Sequence, residues 1–128
     1  MATTNLSIET FETELSRDQG ILIIDWWAPW CAPCRAFGPI YERASEAHPD
    51  ITFGKVNTQD EPDLAGSFGI RSIPTLSIFR DGVLVFQRPG LLPEPILEDL
   101  IREVQGLDMA EVRAQVENAE RSARVAHG

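Results

Sequence analysis

The chain reads as an α/β domain: a central mixed sheet flanked by helices, with one further helix at the C-terminal end. Three observations predict this. In the first half, short apolar runs alternate with segments of helical period, which implies parallel strands joined by helices. In the second half, two strand-like segments flank Asp81-Gly82, a strong hairpin signal that implies antiparallel pairing. After Gly106, a segment with its own cap and its own apolar stripe follows.

Taken in order, Ser7 is placed to cap a first helix with Ile8, Phe11 and Leu15 on one face, and Gly20 ends that region. Ile21-Leu22-Ile23-Ile24 is continuously apolar, as expected of a strand buried on both faces. A Trp/Pro-rich stretch leads into a helix from about Cys34 to His48, whose inward stripe is Phe37, Ile40, Tyr41, Ala44 and Ala47. Pro39 falls inside it and should kink it, and His48 suits its C-terminal dipole. Residues 51–56 alternate as a strand, and Pro62 starts a short helix ending near Phe68-Gly69. Residues 75–79 and 83–87 are the hairpin strands. Pro93 and Pro95 introduce a helix with Ile96, Leu97, Leu100, Ile101 and Val104 inward. In the last segment, Asp108 and Glu111 are spaced as a cap and its N3 partner. Met109, Val112, Val116, Ala119 and Ala123 recur at steps of three and four, and Glu117–Arg121 and Glu120–Arg124 are favourable i,i+4 pairs. A helix of roughly sixteen residues is too short to stand alone. It is expected to dock through Met109, Val112 and Val116, onto its own domain in preference to a second copy. The expected division is residues 1–105 as the main domain and 106–128 as a helical extension.

Length and composition bound the function. At 128 residues the chain is expected to be one domain with a real core, and 43% apolar and 24% charged residues are ordinary for a globular protein. A net charge of −9, with no Lys/Arg cluster, argues against nucleic-acid and anionic-membrane partners. The N-terminus has no basic segment followed by an apolar run, so neither a signal peptide nor a membrane anchor is expected, and the cytoplasm is the default compartment. There, a lone cysteine pair is more often catalytic than structural.

That pair is Cys31 and Cys34, the only cysteines, in Trp26-Trp27-Ala28-Pro29-Trp30-Cys31-Ala32-Pro33-Cys34-Arg35. A Cys-X-X-Cys opening a helix can close and open a disulfide with little backbone movement. Its first sulfur faces the unpaired N–H groups of the helix terminus, which favour the thiolate. Zinc is the rival use, but only His48 and His127 remain as ligands and neither has finger or ribbon spacing, so no metal is expected.

The stretch Ile24 to Cys34, then Phe37-Gly38-Pro39-Ile40, Lys55-Val56-Asn57, Phe68 to Thr75, and Phe79-Arg80-Asp81-Gly82 with Gly90 beyond, together resemble the thioredoxin family. The matched positions run from about Ser7 to Val104. Ala32-Pro33 stands where the family usually has Gly-Pro, Ser72 stands where Gly is common, and the terminal helix has no counterpart in a minimal member. The resemblance implies the thioredoxin fold and a dithiol that reduces protein disulfides. It also implies recharging by an NADPH-dependent flavoprotein thioredoxin reductase, with no cofactor held by the chain itself. An oxidase or isomerase of the same fold, and a co-chaperone or adaptor acting through the terminal helix, are the alternatives.

On this reading Cys31 attacks and Cys34 resolves the mixed disulfide. Asp25, after four apolar residues, should be poorly hydrated with a raised pKa. The resemblance makes it the proton acceptor for Cys34. Lys55 shares a strand face with Ile51 and Phe53 and needs a partner, which the resemblance gives as Asp25. The Ile73–Pro74 bond is cis by resemblance, leaving the Ile73 backbone to pair with an extended substrate. Trp30, Ala32, Pro33, Pro89, Gly90 and Leu91 complete an apolar docking surface. Trp26 and Trp27 read as packing residues. A monomer is expected, with weak dimerisation through the last helix as the other possibility.

Overall fold

A computed structural model describes residues 2–17 and 20–127, with the side chains of Ala126 and His127 outside the description. Five strands form one mixed sheet in the order β1-β3-β2-β4-β5: β1 Thr3–Asn5, β2 Ile21–Trp27, β3 Thr52–Asn57, β4 Thr75–Arg80 and β5 Val83–Pro89. The pairs β1–β3 and β2–β3 are parallel, whereas β2–β4 and β4–β5 are antiparallel. The helices are α1 Ile8–Ser16, α2 Ala32–Ala47, α3 Pro62–Ser67, α4 Glu94–Gln105 and α5 Met109–His127.

Alternation along the strands splits the core in two. On one face, Ile23, Phe53, Leu76 and Ile78 meet Phe37, Tyr41 and Ala44 of α2 and Leu97, Ile101 and Val104 of α4. On the other, Leu22, Ile24, Trp26, Val56 and Phe79 meet Phe11 of α1 and Leu64 and Ala65 of α3. The apolar run that opens β2 is thus consumed on both sides of the central strand. Phe11 sits edge-on to Phe68 and Phe79, adding aromatic contact to area burial.

Several sequence expectations need correction. Strand β1 was not foreseen: Thr3-Thr4-Asn5 is polar and short, and it is held from outside. Ala2 N and Thr3 Oγ1 donate to the Glu42 carboxylate, each at 2.7 Å, and Leu6 N donates to Lys55 O at 2.8 Å. Helix α2 begins at Ala32 rather than Cys34, and β2 runs on through Trp27. Ile8, Ala47 and Ile96 are exposed: Ile8 and Ala47 are end residues of their helices and Ile96 lies in the first turn of α4.

The last helix departs most. Asp108 caps it as expected, Oδ1 accepting from Ala110 N and Glu111 N. It runs 19 residues rather than sixteen. Only Met109 and Val112 are half-buried; Val116 is 38% exposed, and every side chain described beyond it is exposed. Apolar docking onto its own domain is confined to the first turn, and Arg113, one residue beyond Val112, donates to Asp81 O. Glu117–Arg121 and Glu120–Arg124 are absent from the ion pairs formed among the described residues.

Candidate active site

Strand β2 points its C-terminal end at the site. Beyond Trp27 the chain turns, with Cys31 N donating to Ala28 O at 3.2 Å, and Cys31 becomes the N-cap of α2. Its Sγ accepts the N–H of Cys34 at 3.2 Å, doing with sulfur what a serine oxygen does at an ordinary cap. Pro33 lies in the first turn, where its missing N–H costs nothing. Cys31 and Cys34 form a disulfide with a Cα–Cα separation of 5.2 Å. Both cysteines are equally buried, at 4% exposure, so exposure does not distinguish them. Position does: Cys31 caps the helix, whereas Cys34 heads the inward stripe that continues through Phe37 and Tyr41.

Two further segments converge on the pair. The carbonyl oxygen of Ile73 lies 3.7 Å from Cys31 Sγ, and the Ile73–Pro74 peptide bond is cis, as the resemblance implies. Gly90 N donates to Pro74 O at 2.8 Å, bringing Pro89, Gly90 and Leu91 alongside. Gly90 has φ +104°, a conformation that favours glycine. Trp30 stands 69% exposed, and Ala32, Pro33, Pro89 and Leu91 are also open to solvent, while Pro74 is buried and Ile73 half-buried. The residues expected to form an apolar docking surface are therefore brought together around the disulfide.

Asp25 lies on the sheet face that α2 covers, in line with Ile23, and is 1% exposed. Burial raises its pKa from 3.8 to about 7, with the charge of Lys55 pulling the other way. Neither carboxylate oxygen accepts a hydrogen bond from the protein. Lys55 is paired with Asp25 in the β2–β3 register, yet its ammonium lies over the Trp27 ring, 4.6 Å from the centroid. The expected ion pair is thus replaced by electrostatic coupling at longer range, because the indole face competes for the lysine.

Sequence reasoning missed three contributors. Trp27, read as packing, holds the Lys55 ammonium. Tyr41 presents its hydroxyl to Ile23 O at 2.9 Å and Gly54 O at 2.7 Å, bridging β2 and β3 just below the Asp25–Lys55 pair. Desolvation, then the nearby Asp25 charge, pushes its ionisation well above the usual tyrosine value, so it stays a donor. Arg35 folds back, Nη1 donating to Pro29 O at 2.8 Å, and braces the turn before Cys31. A phenol among apolar helix positions was the one available signal, and it did not reveal its acceptors.

Comparison with known proteins agrees with this geometry. The Thioredoxin family model matches residues 2–103. A Streptomyces coelicolor protein carrying the provisional name thioredoxin 2 is 51% identical over 115 residues, covering 90% of this chain and 85% of that one. The thioredoxin of Alicyclobacillus acidocaldarius is 39% identical over 104 residues, covering 80% of this chain and 98% of that one. Among solved structures, a mutant thioredoxin from Halobacterium salinarum superposes with a TM-score of 0.75 at 30% identity, covering 83% of this chain and 93% of that one. A chloroplastic thioredoxin z superposes at 0.77 with 22% identity, covering 84% and 97%, a likeness of fold alone. With a disulfide capping α2 under a cis-proline loop and a family match across the whole sheet, the chain belongs to the thioredoxin family and is a thiol–disulfide oxidoreductase whose redox-active group is Cys31–Cys34.

Proposed function

We propose that the chain works as a reductant of protein disulfides, with Cys31 as nucleophile, Cys34 as resolving thiol and Asp25 as the proton acceptor for Cys34. In the reduced protein, the Cys31 thiolate attacks a substrate disulfide. A bond forms from Cys31 to one substrate sulfur, and the other leaves as a thiolate that takes up a proton. Cys34 then gives its proton to Asp25 through water and attacks the Cys31 sulfur. The Cys31–Cys34 bond forms as the Cys31–substrate bond breaks, and the second substrate sulfur leaves as a thiolate that takes up the proton returned by Asp25, so two electrons pass to the substrate. The observation that carries this reading is the sulfur of Cys31 at the helix cap, where N–H dipoles favour a thiolate. The position of Asp25 supports its role: it is buried and half protonated near neutral pH, so it can take and return a proton. Lys55 tunes Asp25 by its charge. Trp30, Ala32, Pro33, Pro89, Gly90 and Leu91 receive the substrate, with the Ile73 backbone ahead of Pro74 pairing to it as an added strand.

Disulfide-bearing proteins are the substrates on this reading, a thioredoxin reductase restores the dithiol, and the cytoplasm is the working compartment. Among the described residues, no helix is long and apolar enough to cross a membrane. Residues 1–105 form the redox domain and 106–128 an appendage, with a monomer as the working unit. The test is insulin-disulfide reduction with NADPH and a thioredoxin reductase: turnover is expected, and none from a protein shown to be folded and reducible would sink the proposal. The outward stripe of α5 favours a second reading, a co-chaperone or adaptor; partner binding retained after both cysteines are replaced by serine would support it.

A further inference from the structure

The chain is strongly acidic, with a net charge of −9, but its acid is not evenly spread. Between Trp26 and Tyr41 there is no Asp or Glu, and none between Leu64 and Arg80. These two stretches contain the disulfide and the cis-proline loop. Their charged residues near the site are Arg35 and Arg71, both exposed. Arg71 lines a cleft of about 180 Å³ beside the disulfide, formed with Trp30, Thr58, Ile70, Ser72 and Ile73, and is the one charged side chain among the described residues that line it. Arg35 is braced on Pro29 O, one residue from Trp30. Of the carboxylates near these stretches, Asp25 is buried, and Asp60 and Glu61, just beyond Thr58, line a different cleft, with Lys55 and Trp27. Arg88 does not join the patch, since it faces Asp99 and Glu103 across a cleft beside α4.

From this segregation, and resting on the reductase reading above, we propose that Arg71, supported by Arg35, selects substrate disulfides flanked by acidic residues. A peptide laid along the Ile73 backbone passes within two residues of Arg71, roughly 7 Å of extended chain. A Glu or Asp flanking the target cysteine then reaches an exposed guanidinium at the edge of a partly apolar cleft, where a charge-assisted, bidentate hydrogen bond can form. The acidic remainder of the molecule repels the same peptide, so it favours approach by the disulfide face. At very low salt that whole-molecule repulsion dominates. At about 0.1 M the screening length is about 10 Å, which spans the cleft but not the molecule, so the local cations decide.

The experiment uses the full chain, recharged by thioredoxin reductase and NADPH, and two intermolecularly disulfide-bonded peptides, identical except for two Glu or two Lys flanking the cysteine. At 0.1 M salt the Glu peptide is expected to be reduced about tenfold faster, within the span of electrostatic steering. The ratio should fall towards one at 1 M salt, where the screening length is about 3 Å. Arg71→Glu should bring the ratio at 0.1 M to one or below, and Arg71→Lys should keep most of it. The ratio is internal to each variant, so a general loss of activity does not mimic the effect, and the wild-type salt series stands even if a variant does not fold. A wild-type ratio near one at 0.1 M, or an unchanged ratio in folded Arg71→Glu, overturns the selection while leaving the reductase intact. Reduction of neither peptide overturns the reductase reading itself.

Discussion

Asp25 is where burial and charge conflict most openly. Its folded pKa, about 7, lies above the 3.8 of an ordinary aspartate. Between those values the native state keeps a proton that the unfolded chain has lost. Stability therefore falls as pH rises from about 4 to about 7 and is flat above. Removing the charge should remove that slope. Asp25→Asn is expected to raise the unfolding free energy of the oxidised protein at pH 8, by at most about 4 kcal/mol for a shift of about three units. The gain should fade to nothing near pH 4. Urea denaturation at pH 8, 6 and 4 measures it, and a difference independent of pH would contradict the buried-carboxylate account. The same substitution should slow resolution of the mixed disulfide. The two cysteines are separated by trapping: Cys34→Ser is expected to accumulate covalent adducts with partner proteins on non-reducing gels, and Cys31→Ser is not. The reverse pattern would exchange their roles.

Among the elements, β3 shows how closely the sheet is fitted beneath the site. Gly54 leaves room for Leu6, since a Cβ there would lie 2.5 Å from Leu6 Cδ1 and 3.0 Å from Ile24 Cδ1. Its carbonyl also takes the Tyr41 hydroxyl. Gly54→Ala should cost about 1–3 kcal/mol through overpacking. Thermal unfolding would read the loss, and a change within error would mean that Leu6 swings clear freely. Elements that carry their own pattern were legible from sequence: the both-face apolar run of β2, the stripe of α2 and the Asp81-Gly82 hairpin, where Asp81 takes φ +51°. Strand β1 was not, because its stability lies in Glu42 and Lys55, about forty to fifty residues away. The site divided in the same way. Cysteines, aspartate and proline announce themselves by chemistry and spacing, whereas the hold of Trp27 on Lys55 depends on a competition between two partners that only geometry resolves.

At the scale of the whole molecule, the disulfide and α5 lie at opposite ends of the sheet. Strand β2 carries its C-terminal end to the site, and antiparallel β4 carries Arg80 to the other end. There Arg80 Nη1 donates to the carbonyls of Val104, Gln105 and Leu107 at 2.7, 3.1 and 2.8 Å, gripping the end of α4. Arg113 adds a bond to Asp81 O at 2.9 Å at the hairpin tip. Seven strand residues, on the order of 20 Å, separate this junction from Cys31. Deleting residues 109–128 leaves the Arg80 grip and the packed Leu107 in place, and removes the half-buried Met109 and Val112 and the Arg113 tie. The shortened chain should reduce insulin within about twofold of the full chain and lose on the order of 1 kcal/mol of stability, the scale of partial burial of two apolar side chains. Loss of reduction in a truncated protein whose circular dichroism and unfolding transition are intact would show that α5 reaches the chemistry. That outcome would require a route through β4 and the hairpin, because the cleft beside the disulfide is lined by Trp30, Thr58 and residues 70–73, far from α5 along the sheet.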